Sequence, residues 1–220
     1  MFCGFDFDGT LADSKTVYYK AVHQYAEKNQ LKLPAQHEMN MAFGNPHPPL
    51  FEGWGNREKL IQRLDEISEI IDDKLCQDPL SMPLFPGVFN LLESLQKDGI
   101  LLAIVTSRAS RPLLRVMEAH KLLPFFKTIR SEQNVSENNC RDKPHADLLN
   151  SALKELNVAH KNAIMIGDTW MDIQMAKNAN VFAVGVSWGY HPEQILTEYK
   201  ADIIVHEASQ IKSITEKSFA

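Results

Sequence analysis

The sequence predicts an α/β protein: a mainly parallel sheet with helices on both faces, plus a small all-helical cap inserted after the first strand. Three observations predict it. From Phe85 onward, short apolar runs alternate with helices of about a dozen residues, the rhythm of right-handed strand–helix–strand crossovers. Between Ser14 and Ser81 that alternation gives way to helical periodicity alone. Several of the apolar runs are followed at once by a small polar cluster, where open parallel sheets place their ligands.

The chain opens on a very short apolar strand that runs into Phe5-Asp6-Phe7-Asp8-Gly9-Thr10. Ser14 is the expected N-cap of a first helix to about Asn29, in which Val17, Tyr18, Ala21, Val22 and Tyr25 recur at helical spacing. The Asn45-Pro46-His47-Pro48-Pro49 stretch cannot be helix interior. It is followed by the longest periodic segment, Asn56 to about Gln77, with Leu60, Ile61, Leu64, Ile67, Ile71 and Leu75 on one stripe.

Pro86-Gly87 opens a helix that Gly99 ends, and Ile100 to Val105 is a strand buried on both faces. A helix from Ser110 to about Lys121 and a weaker strand from Phe126 to Arg130 follow. Lys143-Pro144 is expected to begin a helix through Leu156, ahead of a buried strand from Ala163 to Ile166. A helix from Trp170 to Asn178 and strands over Val181 to Val186 and Asp202 to Val205 complete the pattern. The expected division is a Rossmann-like core of residues 1–13 and 82–220 and a cap of residues 14–81.

A chain of 220 residues with 44% hydrophobic and 23% charged residues can bury one sizeable core and a smaller insertion. A formal charge of -5, with no basic run, argues against nucleic-acid binding through phosphate neutralisation. No segment approaches the roughly 18 apolar residues that span a bilayer. The N-terminus enters the acidic motif with no stretch of signal-peptide character, and Cys3, Cys76 and Cys140 follow no metal-ligand spacing. A cytoplasmic protein with reduced cysteines is expected, as a monomer or small homo-oligomer.

Chemistry concentrates in four places. Asp6 and Asp8, two apart in an extended strand, share one face, and such a pair needs a cation or a shared proton to offset its repulsion. A D-x-D-G-T string arises by chance in a chain of this length with a probability of roughly 0.3%. Thr106 and Ser107, at a strand tip before a helix, offer a hydroxyl and backbone amides to phosphate oxygens, although a helix cap explains them equally well alone. Lys143 precedes another helix, where an isolated lysine is ordinarily a solvated loop residue. Asp168 and Asp172, one helical turn apart beyond the strand AIMI, can both face a metal that also meets Asp6.

Taken in this order, FDFDGT, the strand ending in Thr106, the KPHADLL stretch and GDTWMD closely resemble the four motifs of the haloacid dehalogenase superfamily. Within it the chain is most similar to the phosphoglycolate phosphatase-like group with a helical cap after the first motif. The stretch from Gly167 through Trp188-Gly189-Tyr190 carries that similarity, as does Gly44-Asn45-Pro46. The resemblance implies a magnesium-dependent phosphatase acting on a small phosphomonoester, phosphoglycolate-like or a sugar phosphate. Asp6 would be the nucleophile and Asp8 the general acid and base. Thr106, Ser107 and Lys143 would bind phosphate. Asp6, the Asp8 backbone carbonyl and Asp168 would hold Mg2+, with Asp172, Gly9 and Thr10 in support and Thr10 fixing the Asp8 side chain.

The presence of Asp8 disfavours the dehalogenases and the ion pumps. A β-phosphoglucomutase-like mutase is the alternative, disfavoured because mutases tend to carry a histidine where this chain has Tyr18. An inactive binding protein would show a damaged catalytic position, and Asp6, Asp8, Lys143 and Asp168 are all present. Ser107-Arg108 stands where many phosphoglycolate phosphatases have Asn-Lys, which points to a different pocket edge. Leaving-group contacts are expected from Arg108 and from the stretch Phe43 to Trp54. Trp170 and Asn180 are read as packing and as a tolerated left-handed residue, and His47, His145 and His191 as surface residues.

Overall fold

The computed structural model describes residues 1–138 and 140–217. Six parallel strands form one sheet, in the order β3-β2-β1-β4-β5-β6. They are β1 (Phe2–Phe5), β2 (Leu101–Val105), β3 (Phe126–Arg130), β4 (Ala163–Gly167), β5 (Phe182–Val186) and β6 (Ile203–Val205). The expected fold class is therefore the observed one. Alternation along the strands sends side chains to two separate cores. Cys3, Phe5, Leu102, Ile104, Ile164 and Ile166 face one layer. Phe2, Ala103, Val105, Ala163 and Met165 face the other. Strands β1, β2, β4 and β5 are buried on both faces, which is why they read as continuous apolar runs, whereas the edge strands β3 and β6 are partly exposed.

Three helices follow β1 directly: α1 (Lys15–Lys28), α2 (Gln36–Ala42) and α3 (Arg57–Gln77). The chain leaves and re-enters the sheet domain along adjacent paths. Asp13 N donates to Pro83 O at 2.8 Å, and Phe85 N donates to Leu11 O at 3.0 Å. Asn56 caps α3 through its side chain, which accepts from Lys59 N. Of the α3 stripe, Leu60, Ile67, Ile71 and Leu75 are buried, while Ile61 is exposed. The helix packs on α1 and on α5 (Ser110–Ala119).

The remaining helices are α4 (Val88–Lys97), α6 (Glu132–Asn138), α7 (Asp147–Glu155), α8 (Trp170–Asn178), α9 (Glu193–Glu198) and α10 (Ser209–Lys217). Helix α7 starts at Asp147, four residues later than Lys143: the ring of Pro144 disfavours the helical region at Lys143, and residues 143–146 form turns and bends. Ser14 is not a side-chain cap. Its hydroxyl meets the Tyr190 hydroxyl at 3.0 Å instead. Among the described residues no helix is long and apolar enough to cross a membrane.

Candidate active site

Strand β1 lies between β2 and β4, with Phe5 level with both Ile104 and Ile166. The chain changes direction on either side of β1, so a crevice opens beyond the strand ends there. Asp6, Thr106 and Asp168 each follow within one residue of a strand that ends at this crevice, and all three are buried. Alpha8 adds Asp172 from its first turn. The loop before α7 adds Lys143, whose side chain is 4% exposed.

Lys143 is the hub of the cluster. Its Nζ donates to Asp6 Oδ1 and to Asp172 Oδ1, each at 2.6 Å. Burial alone would lower this ammonium, but the nearby Asp172 and Asp6 carboxylates more than offset it and hold it above its ordinary value. Asp172 is held at its other oxygen too, where Oδ2 accepts from Thr169 N at 3.0 Å and Thr169 Oγ1 at 2.7 Å in a capping box. One side chain thus starts α8 and anchors Lys143.

Asp168 accepts from Tyr190 N at 2.7 Å and from Thr10 Oγ1 at 3.0 Å. Thr10 therefore supports Asp168, not the Asp8 side chain as the sequence suggested. Two glycines make that placement possible. A Cβ on Gly9, which has φ +76, would lie 2.2 Å from Asp168 Oδ2, and one on Gly189 would lie 2.1 Å from Asp168 Cβ. The Trp188-Gly189-Tyr190 turn is thereby tied to Asp168.

Asp8 has a partner that sequence reading did not assign to it. Arg108 Nε and Nη2 donate to its two oxygens at 2.6 and 2.7 Å, and Arg108 Nη1 donates to Asp72 on α3 at 2.9 Å. The guanidinium therefore joins the sheet domain to α3. Burial would lower Arg108, and the carboxylates of Asp8 and Asp72 hold it above its usual value instead. Ser107 Oγ donates to Asp142 at 2.8 Å, and Thr106 Oγ1 accepts from Arg108 N at 3.2 Å.

Oxygens of Asp6, Asp168 and Asp172 lie within 4.8 Å of one another. Such an all-carboxylate oxygen set is what a hard divalent cation prefers. Burial, followed by repulsion from Asp172, pushes Asp168 up to about 7. Desolvation likewise raises Asp6, against the pull of Lys143. Lys143 alone leaves the cluster short of positive charge, so these residues fit a divalent cation. Asp8 contributes no carboxylate oxygen to the set.

A cavity of about 380 Å³ opens over these groups. Asp6, Asp8, Thr106, Ser107, Arg108, Lys143 and Asp172 line it, together with Tyr18, Phe43, Gly44 and Leu64 from the inserted helices. Of the stretch Phe43 to Trp54, only Phe43 and Gly44 reach this cavity. Phe43 stacks on Tyr190 at 3.8 Å. Trp54 is fully buried elsewhere, where its Nε1 donates to Lys32 O. Trp170 packs against Tyr199 outside the cavity. Asn180 does take a positive φ, 54°.

His47 and His145 are exposed, as expected, but His191 is buried behind the site. Its Nδ1 accepts from Trp170 N at 3.1 Å, and its Nε2 has no partner. Burial holds it down to about 4, against the pull of Asp172. An unfolded histidine titrates near 6.5, so below that pH the unfolded chain takes up a proton that the folded one refuses. Stability is lost as pH falls from about 6.5 to about 4, by roughly 3 kcal/mol in total. The raised Asp168 acts in the opposite sense, so the test compares variant with wild type. His191→Asn, which keeps an acceptor for Trp170 N, is expected to remove several °C from the acid-induced fall in Tm. An unchanged pH slope would refute this role.

A sequence profile of the haloacid dehalogenase-like hydrolase family matches residues 4–186, and the chain belongs to that family. Among curated relatives it is 27% identical over 225 residues to pyrophosphatase PpaX of Oceanobacillus iheyensis, covering 98% of this chain and 97% of that protein. It is 25% identical over 228 residues to the phosphoglycolate phosphatase of Escherichia coli K12, covering 94% and 89%. A haloacid dehalogenase-like hydrolase family protein from Streptococcus pneumoniae superposes with a TM-score of 0.77 at 24% identity, over 96% of each chain.

Proposed function

We propose that the protein is a magnesium-dependent phosphatase that hydrolyses a small phosphomonoester through an aspartyl-phosphate on Asp6. The observation that carries this is the Asp6 carboxylate at the centre of the sheet, 2.6 Å from Lys143 and facing a cavity that also holds Asp8. The name of the phosphoglycolate phosphatase relative supports a monoester substrate, while that of pyrophosphatase PpaX supports phosphate hydrolysis more broadly. Residues 14–81 act as the cap, and Asp6, Asp168 and the Asp8 backbone would hold Mg2+ with Asp172 in support. When bound, the cation neutralises charge on the phosphoryl oxygens and on the carboxylate cluster.

An Asp6 oxygen attacks phosphorus, and the bond to the leaving oxygen breaks while Asp8 gives that oxygen a proton. Thr106, Ser107 and Lys143 hold the phosphoryl oxygens in the meantime. Asp8 then takes a proton from a water, which attacks phosphorus and releases phosphate and free Asp6. Arg108 bonds once to each Asp8 oxygen, which leaves each oxygen a lone pair for the proton that Asp8 carries. The same guanidinium also reaches Asp72 on α3, so Asp8 and the inserted helices share one cation.

A mutase must also bind a second, distal phosphate. The two cations lining the cavity are each already paired with two carboxylates, which favours hydrolysis. Phosphate release from p-nitrophenyl phosphate is expected with Mg2+ and to fall at least roughly 100-fold with excess chelator. Release that chelator leaves unchanged would refute the metal requirement, and no release at all would refute the phosphatase assignment.

A further inference from the structure

Resting on Asp168 as a ligand of the cation, we infer that Tyr190 is a positioning residue that ties the Asp168 carboxylate to the inserted helices. Cation affinity then depends on how Phe43, which contributes no oxygen to the cluster, seats against the Tyr190 ring. Two sets of contacts meet on the Trp188-Gly189-Tyr190 turn, one toward Asp168 and one toward the inserted segment.

Toward Asp168 the contacts form a closed circuit. Tyr190 N donates to Asp168 Oδ2 at 2.7 Å, and Thr10 Oγ1 donates to Oδ1 at 3.0 Å. Trp188 Nε1 donates to Thr10 O at 3.0 Å, so Thr10 is itself held by the same turn. Both oxygens are therefore aimed by the turn, one directly and one through Thr10. Gly189 packs so close that a Cβ there would lie 2.1 Å from Asp168 Cβ, which leaves no slack between the two. In close-packed surroundings a shift of the turn is a shift of the carboxylate. Partners behind a metal ligand fix its direction and through it the affinity for the ion.

Toward the inserted segment the same turn is gripped at several points. The Tyr190 ring stacks on Phe43, at the end of α2, with centroids 3.8 Å apart and planes 6° apart. Tyr18 of α1 meets the ring edge-on at 6.0 Å. The Tyr190 hydroxyl meets Ser14 Oγ at 3.0 Å, and Lys15 Nζ donates to Trp188 O at 3.0 Å. A stack of two rings specifies tilt as well as separation, unlike a contact between aliphatic chains. One buried residue thus serves Asp168 with its amide and the inserted helices with its ring and hydroxyl. A joint of this kind makes ion binding and helix seating share a coupling free energy.

The test reads Tm of the whole chain against Mg2+ concentration without substrate, which yields a dissociation constant independent of turnover. Phe43→Leu keeps apolar bulk and removes the stack. Phe43 is half-buried, so the variant is expected to fold, with Mg2+ bound at least about 5-fold more weakly. Phe51→Leu is the matched control, since that ring meets Trp54 within the inserted segment. It should lower Tm in chelator and leave the Mg2+ constant unchanged. Thr10→Val, which breaks the circuit at Asp168 Oδ1, should weaken Mg2+ about 10–100-fold. If Phe43→Leu lowers Tm equally with and without Mg2+ while the wild type is stabilised by the ion, the inference fails and the cation site stands. Equal weakening in Phe51→Leu would also overturn it, because general loosening would then explain the effect. No Mg2+-dependent rise in the wild type would remove both the inference and the cation site.

Discussion

Asp6→Asn is expected to lower turnover by roughly 10⁴-fold or more while the protein still folds, since removing a nucleophile that forms a covalent intermediate has effects of that order. The amide keeps the shape of the carboxylate but cannot attack phosphorus. Lys143 loses one of its two partners in the variant and keeps Asp172. The substitution also removes a buried carboxylate that desolvation, with Asp172, Asp168 and Asp8 nearby, makes costly to ionise. With chelator present, Tm should therefore fall little or rise. Rapid quenching of the wild type with labelled substrate should trap label on the protein, and the variant should trap none. Normal turnover in the variant would end the nucleophile assignment.

Lys143→Ala is expected to act on both rate and stability. Losing a fixed positive charge beside the transferring phosphoryl group costs about 10²–10³-fold in kcat. Leaving three buried carboxylates with no ammonium also destabilises the fold, by about 3–5 kcal/mol if the cluster behaves like other broken buried pairs. In a chain of this size that is on the order of 10 °C in Tm. A divalent cation can replace part of the lost charge, so Mg2+ should raise the variant's Tm more than the wild type's. Unchanged kcat would remove Lys143 from the reaction. A Tm that Mg2+ does not move would argue against Asp6, Asp168 and Asp172 as a cation site.

Three of the four motif positions were legible because each follows an apolar run, and an apolar run of strand length marks the end of a buried parallel strand. That logic puts Asp6, Thr106 and Asp168 at strand ends, and the sheet order makes those strands neighbours. Lys143 was legible only through its order in the chain. Nothing local distinguishes it from a solvated loop lysine, and its burial comes from Asp6, 137 residues away, and Asp172, 29 residues away. His191 failed for the same reason. A histidine after a turn reads as surface until α8 is packed over it.

The pattern of the chain by itself determined the parallel α/β architecture, the helical insertion after β1 and the family, because these depend on periodicity and on short strings of neighbouring residues. Only the tertiary structure decided which side chains meet. It put Thr10 on Asp168 across 158 positions and Arg108 on Asp8 across 100. It also brought Asp72 to the same guanidinium and buried the Tyr18 hydroxyl without a hydrogen-bond partner among the described residues. These contacts follow from how the inserted helices sit on the sheet domain. That placement is set by the packing of a shared apolar core, for which no local spacing carries a signal.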